Sequence, residues 1–162
     1  MTFISAQLNQ EKLRKLGLRG PAMTKVVTQS LAAGAKTWHS EFLGEHFKMS
    51  AFRRYGYLAR RGQTGDQNSK HFRDSYSGRK LRTKGHMLPL VFSGLTKNLS
   101  AWPDIRANGK LARVVLPRGF NRKNPHSRIN MREEITTILP SESKTMVRTV
   151  AESTKNQLRD MK

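Results

Sequence analysis

Five histidines, His39, His46, His71, His86 and His126, are the residues of this chain best suited to bind a metal or move a proton, and their spacing argues against both roles. His39 and His46 stand seven apart and would share one face of a continuous helix, but no third ligand is spaced to complete a coordination sphere. Glu41 and Glu45 are one helical turn apart. Paired-carboxylate catalysis needs two carboxyls in distinct, protected environments, and among so many cations ion pairing is the simpler account. Arg61-Gly62-Gln63-Thr64-Gly65-Asp66 has glycines but lacks the Gly-Lys-Ser/Thr ending that puts a lysine on nucleotide phosphates. Ser93-Gly94 has no base or acid at recognisable spacing, and cysteine is absent, which removes thiolate chemistry and disulfides. The expectation is a protein with no catalytic residues, no metal and no cofactor.

What the chain does carry is charge: 31 Lys+Arg against 11 Asp+Glu, a net +20, with a sequence pI near 11.3. Such an excess names the sign of a partner, either nucleic-acid phosphate or an acidic protein surface, without naming which. The cations gather in two stretches. Arg60, Arg61, Lys70, Arg73, Arg79, Lys80, Arg82 and Lys84 lie within 60–85, and Arg118, Arg122, Lys123 and Arg128 within 117–128. These twelve are the candidate inter-subunit or DNA-facing residues. The first stretch lacks apolar periodicity and reads as a long basic loop, either an arm lying on DNA or an adjoining subunit, or a solvated insertion. Interleaved aromatics and arginines at Phe52-Arg53-Arg54-Tyr55-Gly56-Tyr57 could stack bases, whereas the step of four from Trp38 to Phe42 argues for a buried stripe.

The elements that must position these residues are set by spacing. A chain of 162 residues fits one domain, 1–162, and a domain of about 150 residues buries about 68–70% of its unfolded surface. Residues 1–20 read as an N-terminal arm or helix, with Ile4, Leu8, Leu13, Leu16 and Leu18 loosely at helical spacing and Ser5 as cap. A second helix is expected from Pro21 to about Met49, its middle narrowed by Ala32-Ala33-Gly34-Ala35, either for a close backbone approach or as ordinary packing of small residues. Residues 86–162 read as a sheet plus a C-terminal helix. The Pro-fixed run His86 to Leu99 is the pivot into this half, and a first strand follows through Leu99, Ala101, Trp102 and Ile105, confined to an edge by Pro103. Asn108-Gly109 suits a type I′ hairpin turn before Leu111–Leu116, and Glu134–Leu139 reads as a third strand, with helix as the competing reading because Asn130 and Glu133 form a capping box. Ser141 caps a last amphipathic helix that should lie on the sheet. No apolar run reaches the roughly 18 residues of a membrane span, and cations interrupt the N-terminus where a signal peptide would be apolar, so a soluble protein is expected. The predicted fold is α+β: N-terminal helices and a C-terminal helix packed on a small antiparallel sheet, with long basic loops.

The order helix, basic loop, Pro89-Leu90-Val91-Phe92-Ser93-Gly94-Leu95 with Leu99 beyond, hairpin, Glu134-Ile135-Thr136 and terminal helix resembles the tail-completion and neck proteins of tailed bacteriophages, the virion-morphogenesis or minor tail protein Z-like group. Members carry Thr-Gly and then Leu-Arg at this turn, where this chain has Ser93-Gly94 and then Leu95-Thr96. The resemblance covers about Pro21 to the C-terminus. It implies a structural virion protein, assembled in the host cytoplasm, that forms a homo-oligomeric ring, a hexamer or dodecamer, at the head–tail junction. Its partners would be connector or stopper proteins on one side and tail tube or terminator proteins on the other, with weak, salt-sensitive contact to DNA in the channel and none to a membrane. The rival reading is a free-standing basic nucleic-acid-binding protein of the ribosomal or nucleoid kind.

Overall fold

A break in helical register organises the first part of the chain. The computed structural model describes residues 2–4, 11, 15, 20–91, 94–121 and 127–161. Helix α1, Gly20–Thr37, starts at Gly20-Pro21 and buries Val26, Val27, Leu31 and Ala35 along one side. The expected single helix to Met49 stops at Thr37. A π-helical turn, Trp38–Phe42, and then a 3-10 turn, Leu43–Phe47, continue the path with altered pitch. The chain divides into two compact units, one made of Met1–Phe42, Pro103–Leu116 and Ile138–Lys162, the other of Leu43–Trp102 and Pro117–Thr137.

In the first unit a three-stranded antiparallel sheet has the order β1-β3-β2, with β1 Thr2–Ile4, β2 Ile105–Ala107 and β3 Ala112–Val114. Ile105 and Thr2 both pair with Val114, and Ala107 and Ile4 both pair with Ala112. β1 replaces the start of the expected N-terminal helix, the rest of which falls mostly outside the described residues. The hairpin forms where Asn108-Gly109 places it, but neither residue has the positive φ of a type I′ turn. Instead Asn108 Oδ1 accepts from the N–H groups of Lys110 at 2.9 Å and Leu111 at 3.0 Å, so the side chain builds the turn. Gly109 serves a close approach, since a Cβ there would stand 3.0 Å from Thr24 Cγ2 on α1.

α1 packs on β2 and β3, and the last helix, α7, Pro140–Asp160, lies along α1, where a place on the sheet was expected. Met146, Val150 and Thr154, four apart, form its buried stripe. Gly34 lets the helices meet closely, because a Cβ there would be 2.6 Å from Val150 Cγ2. Ser30 Oγ then joins them, accepting from Thr154 Oγ1 at 3.0 Å and Gln157 Nε2 at 3.1 Å. α7 begins two residues earlier than Ser141 as cap would require. Leu139 occupies the cap position, and the buried Glu142 carboxylate accepts from its N–H at 3.3 Å.

The second unit is helical: α2 Ala51–Arg54, α3 Lys70–Asp74, α4 Tyr76–Lys84, α5 Leu95–Ser100, a 3-10 turn Arg118–Asn121 and α6 Met131–Thr136. Three expectations are corrected here. Of the expected first strand, Leu99 ends helix α5, Ala101 and Trp102 lie in the turn after it, and Ile105 alone lies in a strand, at the start of β2. Glu134–Leu139 is not a strand: Asn130 Oδ1 accepts from Glu133 N at 3.3 Å and starts α6, so the cap outweighs the β-branched composition. The basic segment 60–85 is not a loop but carries α3 and α4. The core holds Phe47, Tyr55, Tyr57, Phe72, Phe120 and Ile135, with the Phe47 and Phe120 rings 6.2 Å apart. At the pivot, buried Leu90 takes φ +56°, a conformation costing about 1–3 kcal/mol outside glycine. The fold class is α+β as expected.

Candidate functional site

The cation-rich segment 60–85 owes its order to serine and glycine. Ser69 Oγ accepts from Phe72 N at 3.0 Å and caps α3. Ser75 ends α3 and starts α4 together: its Oγ accepts from Gly78 N at 3.1 Å and donates to Phe72 O at 2.6 Å. The two helices meet so closely that a Cβ on Gly78 would be 2.0 Å from Phe72 O, and one on Gly62 would be 2.1 Å from Ser75 Oγ. Gly85, left-handed at φ +70°, closes α4 by donating to Leu81 O. The result is a rigid elbow with Phe72, Ser75, Ser77, Gly78 and Lys80 buried beneath it. Two serines three residues ahead of their capped N–H groups, and a glycine after Lys84, were the sequence signals for it. Apolar periodicity did not reveal it because Phe72 is its one buried large apolar side chain among the described residues.

The twelve candidate cations now separate. Arg61, Lys70, Arg73, Arg79, Arg82 and Lys84 are exposed on or beside the elbow, and Arg118 and Arg128 are exposed elsewhere in the same unit. Arg122 and Lys123 lie outside the described residues, as do Ser93 and His126. Arg60 and Lys80 are buried and cannot face a partner in this structure, which corrects their assignment. Arg60 grips Glu134 bidentately, Nη1 to Oε1 at 2.8 Å and Nη2 to Oε2 at 2.6 Å, while Nη1 also donates to Leu58 O and the guanidinium lies 5.3 Å from the Phe52 ring centre. Lys80 donates to Leu88 O beneath the pivot and sits over the Tyr76 ring; burial, helped by the charge of Arg60, lowers its amine to about 8.

His46 and the tyrosines around it are structural. His46 is wholly buried, its ring stacked on Tyr55 at 3.9 Å and its Nδ1 bonded to Tyr57 OH. Since Tyr57 gives its one proton to Glu134 O at 2.7 Å, His46 Nδ1–H must be the donor to the tyrosine oxygen. Burial lowers the His46 ring to about 4, so it is neutral at pH 7. Buried Tyr55 and Tyr57 leave no open platform for bases, which removes the stacking reading of that cluster. His86 is pushed below its ordinary value by burial and then by the charges of Lys80, Lys84 and Lys97. Glu45 pairs with Lys48 and, at 3.5 Å, with Arg54. Among the described residues no three His, Asp or Glu side chains could hold a metal ion, and no helix is long and apolar enough to cross a membrane.

Large apolar side chains are also left in solvent. Leu95 and Leu99, one turn apart on α5, are 63% and 54% exposed, and Trp102 just beyond is 80% exposed. In the other unit Val147 on α7 and Met161 at its end are exposed as well. No family model matches the chain, no curated protein matches it, and no solved structure matches the fold.

Proposed function

We propose that this protein is a non-enzymatic structural subunit of a tailed-phage virion, closing into a homo-oligomeric ring at the head–tail junction as a tail-completion or neck component. It would be joined through its two rims to connector and tail proteins. The observation that carries the reading is the exposed apolar face Leu95-Leu99-Trp102, which a neighbouring subunit would cover. Isolated exposed leucines are ordinary, but a tryptophan four-fifths exposed just beyond a short helix with two exposed leucines calls for a cover. A closed ring is the assembly that uses two different surfaces of the same subunit, each seated on its complement in the next copy. The α+β fold and the resemblance at Pro89–Leu95 support the same reading.

Sedimentation velocity and native mass measurement of the full chain test it, alone and with connector or tail-tube protein. A hexamer or dodecamer is expected in at least one of these conditions. A chain that stays monomeric in all of them while binding nucleic acid tightly at low salt overturns the proposal in favour of a free-standing nucleic-acid-binding protein.

A further inference from the structure

We infer that the α3–α4 elbow is a docking surface for the sugar-phosphate backbone of a nucleic acid, engaged by charge and independent of sequence. Four cations form a continuous row along it. Lys70 and Arg73 are three apart on α3, and Arg79 and Arg82 three apart on α4, a spacing that sets Cβ atoms about 5–6 Å from one another. The row closes in the middle because Arg82 Nη2 donates to Arg73 O at 3.1 Å. Arg61 joins it at the foot of α4, where its carbonyl accepts from Ser77 N at 3.2 Å.

All five side chains are exposed, and among the described residues none of them makes an ion pair. Asp66 and Asp74 are the acids of the segment, and Asp66 Oδ1 accepts from Asn68 N at 3.0 Å. Like charges at helical-neighbour spacing repel, so the row costs the isolated chain stability that a polyanion would restore. The caps at Ser69 and Ser75 and the contact of Gly78 with Phe72 hold both helices, so the cations are presented on a fixed support.

The chemistry of the face selects the class of polyanion. Protein partners favour an apolar, often aromatic centre with charged residues depleted, whereas nucleic-acid interfaces are polar and strongly positive. Among the described residues Tyr76 is the one large apolar side chain exposed on the elbow, and its ring is engaged by Lys80. Three of the four cations in the row are arginines, whose planar forks match phosphate oxygens in pairs. Contacts of this kind fix position without reading bases. The inference does not depend on ring formation, since the row lies within one unit.

The test is fluorescence anisotropy of a labelled duplex of about 30 base pairs titrated with the full chain over about 50 to 200 mM salt. The quadruple variant Lys70→Gln, Arg73→Gln, Arg79→Gln and Arg82→Gln should bind at least ~10-fold more weakly and flatten the log–log salt slope by about 3 to 4. Lys70→Gln with Arg79→Gln, which removes no hydrogen bond between the helices, should give about half the change in slope. A control of equal charge change on α7, Lys144→Gln, Arg148→Gln, Lys155→Gln and Arg159→Gln, should leave affinity within about 3-fold. Equal losses in elbow and control variants, or no loss in the elbow variants, would overturn the proposal. So would elbow-dependent binding of polyglutamate by a chain that leaves the duplex unbound, because that result assigns the face to an acidic protein.

Discussion

Glu134 is the side chain on which the second unit turns, because its carboxylate takes both forks of Arg60 and its carbonyl takes the Tyr57 hydroxyl. Removing one member of such a buried pair strands a charge. Glu134→Gln should therefore destabilise the protein by about 3–5 kcal/mol in chemical denaturation, while Arg60→Met with Glu134→Leu should recover most of that loss. The neighbouring His46 gives a pH dependence whose sign follows from its environment. The ring titrates at about 4 when folded against an ordinary 6.5, so between those values the unfolded chain binds more protons. Stability contributed by the neutral ring is full above pH 6.5, falls as pH drops toward 4, and amounts to about 3 kcal/mol over the window. His46→Phe should flatten this part of the stability-against-pH curve, which denaturation midpoints at several pH values would read directly.

At the scale of elements, what could be read from the sequence was whatever spacing or a turn residue announced. α1 and α7 followed from apolar steps of three and four, and the hairpin followed from Asn108-Gly109, although the asparagine side chain and not a positive φ makes that turn. The elbow was illegible to apolar patterning because its interior is built from Ser75, Ser77, Gly78 and the stem of Lys80 around one phenylalanine. For the same reason Arg60 and Lys80 looked like surface cations: their burial depends on partners 74 and 8 residues away in the chain, Glu134 and Leu88, that no local pattern names. At α6 the β-branched composition pointed to a strand, and the competing helical reading, signalled by its Asn130 cap, is the one that holds. This account makes the elbow depend on small side chains. Ser75→Ala should cost about 1 kcal/mol through the lost cap. Gly78→Ala should cost about 1–3 kcal/mol, because its methyl meets the backbone oxygen of Phe72 and not a side chain that can turn aside. Hydrogen exchange across α3 and α4 should show both losses locally before global unfolding does.

For the whole molecule, a head-to-tail contact through two different surfaces can be separated from a contact of one surface with itself. If Leu95-Leu99-Trp102 of each copy seats on the face of α7 that exposes Val147 in the next, a chain carrying Trp102→Arg keeps the second surface intact, and a chain carrying Val147→Glu keeps the first. Neither variant alone can close a ring. Mixed in equal amounts, they share one good interface per pair, so the expected product is a heterodimer that grows no further. An isologous association through either patch behaves differently, because both partners must then bring the same surface: one of the two variants would still self-associate and mixing would add nothing. Native mass measurement of each variant and of the mixture distinguishes these outcomes. A mixture that rebuilds the full oligomer, or a variant that retains it alone, would remove these two patches from the assembly contact. Neither substitution touches the elbow, so duplex binding by the same samples should be retained, which keeps assembly and nucleic-acid contact separately measurable on one chain.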